Sequence, residues 1–242
     1  MSRISFENFG KRAKCLKDYK QMTGRYNMQE GAKRKIFGDI ARKLDLKPDD
    51  SVLEIGCGVG DLLIPLSFFV KDITGVDHEA CLEQLRARFR KSKNIHFIPG
   101  NFFDVSIRNR YDKILCYSVL QYLEDEKEVF RFIDKALGLL VPEGMALFGD
   151  IPNVSTKKRF TESQRGRKFD KKWQRLVKKE KNSLKNKISL SADKKMIEFD
   201  DDLMVAVLQR FRKKGYHAYI SSQPSDLPFG NTREDIIIIK PF

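Results

Sequence analysis

The 242-residue sequence predicts an α/β protein: a doubly wound, seven-stranded, mostly parallel sheet with helices on both faces and its last strand antiparallel. Three observations carry this. Apolar runs of strand length alternate with amphipathic stretches of helix length from about Gln29 to Gly149, the pattern of parallel strands joined by crossover helices. The final run, Asp235–Lys240, holds four consecutive isoleucines, as expected of a strand buried on both faces. The link from the preceding strand to it contains no helical pattern, so that pair should run antiparallel. With 41% hydrophobic and 33% charged residues, there is apolar material for a packed core, and whole-chain disorder is excluded. We expect one domain over residues 1–242, with lid-forming helices over 1–30.

Ile36, Phe37, Ile40 and Leu44 recur at helical spacing, so a helix is expected from about Gln29 to Lys43, broken by Lys47-Pro48-Asp49-Asp50. Ser51–Ile55 reads as the first strand and runs straight into Gly56-Cys57-Gly58-Val59-Gly60. A helix comes next, in which Pro65 is tolerated only near the N-terminal end. Asp72–Val76 is the second strand, closed by Asp77; Glu79–Lys91 is the next helix, with Leu82, Leu85 and Phe89 inward. Asn94–Ile98 and Lys113–Tyr117 are the third and fourth strands. The helix after them buries Val129, Ile133, Leu137 and Leu140, and a turn at Pro142-Glu143-Gly144 leads to the fifth strand, Met145–Gly149. Asp200-Asp201-Asp202 suits a helix N-terminus, and Lys213-Lys214-Gly215 suits its end. Strands Tyr216–Ser222 and Asp235–Lys240 complete the sheet.

The formal net charge is +14, from 47 Lys+Arg against 33 Asp+Glu. It is concentrated in one place. Residues 155–199 hold 12 Lys and 4 Arg against 5 acidic residues, which leaves the remainder close to balance. This stretch is expected to be a basic helical insertion after the fifth strand. Two readings stand: a solvated helical face, or a surface that recognises a phosphate-bearing partner. Cys15, Cys57, Cys81 and Cys116 are dispersed, with no C-x-x-C pair and only three histidines. That argues against a disulfide framework and a cysteine-based zinc site, and suits a reducing cytoplasm. No metal-ligand cluster is apparent, so no metal is expected. The chain opens without an apolar h-region, and its apolar runs are too short to span a bilayer; a cytoplasmic location is the expectation.

The strand, glycine turn and helix start around Val52–Gly60 let backbone approach a ligand without Cβ atoms in the way. A dinucleotide fingerprint would place its third glycine at position 61, where Asp61 stands instead, and a carboxylate there would repel a pyrophosphate. No P-loop is present. The pattern suits a nucleoside ligand without phosphates. Asp77, 17 residues past Gly60 at the end of the second strand, can accept hydrogen bonds from both ribose hydroxyls.

On these residues the sequence resembles the Rossmann-like (class I) S-adenosylmethionine-dependent methyltransferases of small-molecule type, from about Arg25 to the C-terminus apart from the basic segment. The resemblance implies S-adenosyl-L-methionine as cofactor and S-adenosyl-L-homocysteine as product. It implies that Glu54, Gly56, Gly58 and Gly60 line the methionine half of the cofactor, that Arg25 and Cys57 also contact the cofactor, and that Asp77 holds the ribose. His78 is expected beside the ribose or adenine. Asn101 falls where the family usually has an aspartate facing the adenine amino group, and its side-chain carbonyl can accept the same hydrogen bond; Phe102 would supply backbone contacts. Tyr117 and Gln121, in Tyr117-Ser118-Val119-Leu120-Gln121-Tyr122, border cofactor and acceptor.

Methyl transfer from a sulfonium is mostly alignment and desolvation, so a dedicated base is optional. Asp150, at the end of the fifth strand, is the candidate base or, equally, a cap for the following turn. Tyr19 is a second catalytic candidate, and Tyr26 a substrate-binding one, in an N-terminal lid; helix packing explains both tyrosines as well. Arg233 either reaches an anionic acceptor or forms a surface ion pair. His96 reads as structural, and His217 is given no role. No [DN]-P-P-[YFW] sequence comes after the fourth strand, which disfavours transfer to base amino groups or glutamine. The expected acceptor is a small, anionic molecule, a phosphorylated metabolite or acidic sugar, under a lid in which Arg165, Arg167, Lys168, Lys171, Lys172 and Arg175 surround Phe169 and Trp173. RNA methylation is the second choice, with those cations on the backbone and Trp173 or Phe169 stacked on a base. A non-catalytic methyltransferase-like binding protein is the third.

Overall fold

The computed structural model describes residues 3–15, 30–89, 93–185, 197–227 and 229–242. Its seven strands are β1 (Ser51–Ile55), β2 (Asp72–Asp77), β3 (Ile95–Pro99), β4 (Tyr111–Tyr117), β5 (Leu140–Pro152), β6 (His217–Ser222) and β7 (Arg233–Ile239). They form one sheet in the order β3-β2-β1-β4-β5-β7-β6. The first five strands pair in parallel, and β7 pairs antiparallel with both β5 and β6. The helices are α1 (Arg3–Cys15), α2 (Glu30–Lys43), α3 (Leu63–Leu66), α4 (Glu79–Arg88), α5 (Glu126–Leu137), α6 (Val154–Glu162), α7 (Gln164–Lys185) and α8 (Asp201–Lys213).

Side chains alternate across the sheet as strand geometry requires, and each face has its own core. Leu53, Ile55, Ile114, Cys116 and Phe148 point to the face covered by Phe132 and Ile133 of α5 and Met204, Val207 and Phe211 of α8. Val52, Leu115 and Leu147 point to the other face, under Ile36 and Ile40 of α2, Leu63 and Leu66 of α3, and Leu82 and Leu85 of α4. Burying each such side chain contributes roughly 1.5–3 kcal/mol, which is what holds helices on both faces. Several helix starts have side-chain caps: Asp125 accepts from the Glu128 N–H, and Asp200 from the Leu203 N–H.

Three differences from the sequence-based expectation have physical causes. The helix after the glycine turn is a single turn, Leu63–Leu66; Pro65 lacks the N–H that an earlier helix start would need. The fifth strand extends from Leu140 to Pro152 because Tyr111 already pairs with Leu140 and Lys113 with Met145. The Pro142–Gly144 turn is thereby looped out within the strand, with Glu143 at φ 62°. Asp150 does not cap the segment after β5. Asn153 does, accepting from the Ser155 and Thr156 N–H groups at the start of α6. Among the described residues no helix is long and apolar enough to cross a membrane.

Candidate active site

A cavity of about 680 Å³ opens along the carboxyl ends of β1, β2, β4 and β5. The strand order reverses between β1 and β4, so the cavity lies at the switch point where open α/β sheets bind ligands.

Its inner half is built from the turn after β1 and the end of β2. Gly56, at φ 79°, donates its N–H to the Val76 carbonyl at 2.8 Å. The Gly58 N–H donates to Asp77 Oδ2 at 2.7 Å, and the His78 N–H to Asp77 Oδ1 at 2.6 Å. Gly60 is at φ 86°, and a Cβ there would lie 2.1 Å from Leu85 Cδ1; only glycine fits both the angle and the space. Burial raises the Asp77 carboxyl, opposed by these backbone hydrogen bonds. Glu54 is 3% exposed, and its Oε2 has no hydrogen-bond partner. Burial, then the nearby Asp77 and Asp61, pushes its carboxyl well above the usual range. Cys57 also lines the cavity, with its thiol driven far up by burial, so it is a neutral packing group.

Gln121 and Tyr117 also line the cavity. Gln121 donates to the Ser118 carbonyl at 2.9 Å, and Tyr117 Oη accepts from Gln223 at 3.1 Å. Beside Asp77, a narrow recess is lined by Asn101, Phe102, Gly100, Val119 and Phe6 of α1. Asn101 Oδ1 accepts from the Phe103 N–H at 3.2 Å. His78 caps α4, its Nδ1 accepting from the Ala80 N–H, and its ring packs against Phe6 of α1 at 5.0 Å.

The outer half is aromatic. Phe160, Phe169, Trp173, Phe229 and Tyr122 line it, with Phe9 of α1. Trp173 meets Phe229 edge to face at 4.7 Å and lies parallel to Phe169 at 6.4 Å. Asp150 forms the base of this half, at φ 60°. Its carboxylate accepts from the Ser118 hydroxyl, itself at φ 61°. Arg233 Nε lies 3.4 Å from Asp150 Oδ1, and an Arg233 η-nitrogen donates to the Asp150 carbonyl at 2.7 Å. Two left-handed non-glycine residues bonded to each other mark a strained point, which no sequence pattern signalled.

The basic stretch is arranged differently from the expected lid. Arg165, Arg167, Lys168, Lys171, Lys172 and Arg175 are exposed and line no part of the cavity, whereas Phe169 and Trp173, one helical turn apart, do. An amphipathic helix puts its apolar stripe inward and its charges outward. The cations on the cavity wall are Lys157 and Arg233, alongside Asp150 and Asp170. Tyr19, Arg25 and Tyr26 lie outside the described residues. Phe9, Phe160 and Phe229 escaped sequence reading because nothing local distinguishes a cavity-facing phenylalanine from a core one.

A sheet reversed at β1/β4, a glycine turn and a carboxylate closing β2 define a Rossmann-like α/β fold. A family model described as a methyltransferase domain matches residues 52–144, and in that stretch the chain is similar to methyltransferases. Nodulation protein S of Sinorhizobium fredii is 26% identical over 112 residues, 46% of this chain and 52% of the relative. The ubiquinone biosynthesis O-methyltransferase of Nitrobacter winogradskyi is 31% identical over 121 residues, 49% of this chain and 44% of the relative. The chain spans about half the length of the curated relatives it matches. The N-methyltransferase NodS of Bradyrhizobium japonicum WM9, solved with S-adenosyl-L-homocysteine, superposes with a TM-score of 0.63 at 14% identity, covering 99% of this chain and 100% of that one. This last likeness concerns the fold.

Proposed function

We propose that the chain is an enzyme that moves the methyl group of S-adenosylmethionine onto a nitrogen or oxygen of a small acceptor, releasing S-adenosylhomocysteine. The observation that carries this is one continuous cavity lined both by the glycine turn with Glu54 and Asp77 and by the aromatic cluster of Phe160, Phe169, Trp173 and Phe229. The inner half fits the cofactor on two counts. Glu54 presents a buried oxygen without a partner, suited to an α-ammonium group, and the glycine turn leaves a cradle that side chains would fill. The cofactor supplies a methyl group on sulfur that is already an activated leaving group. Glu54 would hold the amino-acid end and Asp77 the ribose hydroxyls, with Asn101 and Phe102 at the adenine side. The aromatic wall would exclude water and align the acceptor's lone pair. Asp150, bonded to Ser118 and Arg233, can take the proton of a hydroxyl or ammonium acceptor.

For the acceptor we infer a flat, largely apolar body packed on Phe160, Phe169, Trp173 and Phe229. Its nucleophile would sit near Asp150. The anionic character expected from sequence has two cations to support it, Lys157 and Arg233, and Arg233 is engaged with Asp150; Lys157 is therefore the residue to meet an acidic or phosphate group. The exposed basic face of α7 favours RNA as a second acceptor class, bound outside the cavity by its backbone. Methyl-labelled S-adenosylmethionine offered with aromatic amines, phenols, their phosphorylated counterparts and bulk RNA separates these readings. Label entering the small molecules, faster for the phosphorylated ones, is the expected result. Label entering RNA alone, with affinity falling steeply with salt, would replace it. Calorimetry showing no S-adenosylhomocysteine binding would leave a non-catalytic role.

A further inference from the structure

Asp235, the third residue of β7, is completely buried. Opposite it, β5 loses its register with β7 between Phe148 and Ile151, so Gly149 and Asp150 leave the ladder. The Asp235 carboxylate fills the gap. Its Oδ1 accepts from the Asp150 N–H at 2.8 Å and from Gln223 Nε2 at 2.9 Å. The same Gln223 nitrogen donates to Tyr117 Oη at 3.1 Å. The other carboxylate oxygen takes Lys43 Nζ at 2.6 Å. Lys43, the last residue of α2, also donates to Asp39 at 2.8 Å and to the Ser222 carbonyl at 3.1 Å.

Burying an ion pair costs about as much as it returns, and an apolar pair of similar volume commonly serves stability as well. What sets this cluster apart is where its arms end. One reaches the backbone of Asp150 and the other the hydroxyl of Tyr117, and both residues line the cavity. Asp150 also sits in a left-handed conformation, φ 60°, which costs on the order of 1–3 kcal/mol unless its surroundings fix it.

We propose that Asp235, anchored by Lys43, is a positioning residue for methyl transfer: it fixes the Asp150 turn directly and the Tyr117 hydroxyl through Gln223, and so ties the cavity to α2. The proposal deepens the methyltransferase reading and rests on it. Its geometric part does not need a known acceptor to be tested.

Protein labelled with carbon-13 at aspartate Cγ and tyrosine Cζ is compared with D235L, D235N, Q223L and K43M, alongside calorimetry with S-adenosylhomocysteine. D235L is expected to move both the Asp150 and Tyr117 resonances. With a small-molecule acceptor that takes up label, it should lower kcat roughly 10- to 100-fold while S-adenosylhomocysteine affinity stays within about 2-fold. D235N keeps an oxygen for the Asp150 N–H but turns an amide NH2 toward Lys43, so its rate and Asp150 resonance should lie between those of D235L and the unsubstituted protein. Q223L should move Tyr117 alone. Unmoved Asp150 and Tyr117 resonances in D235L would overturn the proposal, as would a D235N as slow as D235L. If D235L does not fold, Q223L and K43M decide: Tyr117 unmoved in Q223L, or both resonances unmoved in K43M, overturns it equally. Failure of the unsubstituted protein to bind S-adenosylhomocysteine would sink the methyltransferase reading instead, with the resonances still deciding the geometry.

Discussion

The inner and outer halves of the cavity are built by different means. The inner half comes from two strand ends close in the chain, Glu54–Gly60 and Asp77, with much of its geometry carried by backbone N–H groups and left-handed glycines. The outer half is assembled from α1, the end of β5, α6, α7 and the loop before β7. Its walls are side chains, and its polar centre, Asp150, is held by Ser118 just after β4 and by Arg233 and Asp235 of β7. A backbone-built site is bound to the fold and tolerates little change. A side-chain-built site can be altered without disturbing the sheet, and in the proposed reading the acceptor would be chosen there.

Substitutions should separate the halves, beginning with the largest effect. D77A removes the proposed ribose acceptor and the anchor of the Gly58 N–H together. We expect S-adenosylhomocysteine affinity to fall about 100-fold, close to 3 kcal/mol, measured by calorimetry; a change below 3-fold would break the inner-half assignment. G60A forces a side chain into a left-handed position against Leu85. It should cost about 1–3 kcal/mol of folding stability, read as a fall of roughly 2–4 °C in Tm per kcal/mol. W173A should raise acceptor KM about 10-fold through lost aromatic packing and leave cofactor affinity alone. Equal damage to both constants would mean that the halves are not independent.

The smallest effect concerns Glu54 and is pH-dependent. Burial raises its carboxyl above the unfolded value, so the folded chain holds the proton more tightly. Stability contributed by this group is then lost as pH rises from the unfolded value towards the folded one. E54Q should therefore melt higher than the unsubstituted protein at pH 8, by about 1 kcal/mol, the scale of an orphaned buried polar group, and no higher at pH 3. The same variant should bind S-adenosylhomocysteine more weakly. Matching melting curves across that pH range would show that Glu54 carries no desolvation cost.

The contrast also explains what the sequence made legible. Strand periodicity, the glycine turn and Asp77 are local signals, and they led to the sheet, its antiparallel end and the inner half. Asp150 stood out because strand ends at this edge bind ligands, but its partners Ser118 and Asp235 are 32 and 85 positions away and share no pattern. Asp235 left one clue, a carboxylate entering a run of isoleucines otherwise fit for burial on both faces. The cations of residues 155–199 were visible as composition; their direction was not, because it depends on which stripe of α7 meets the cavity. The contact of the His78 ring with Phe6 of α1 joins segments about 70 positions apart and has no sequence signal.

Trp173 is the single tryptophan of the chain, and it stands in the aromatic wall of the cavity against Phe229. The protein's indole emission therefore reports on one half of the cavity alone. Filling that half would strip water from the ring and shift the emission to the blue, whereas a molecule confined to the glycine-walled half would leave it near its resting wavelength. Unlabelled protein in a cuvette thus carries its own gauge for telling acceptor candidates from cofactor analogues.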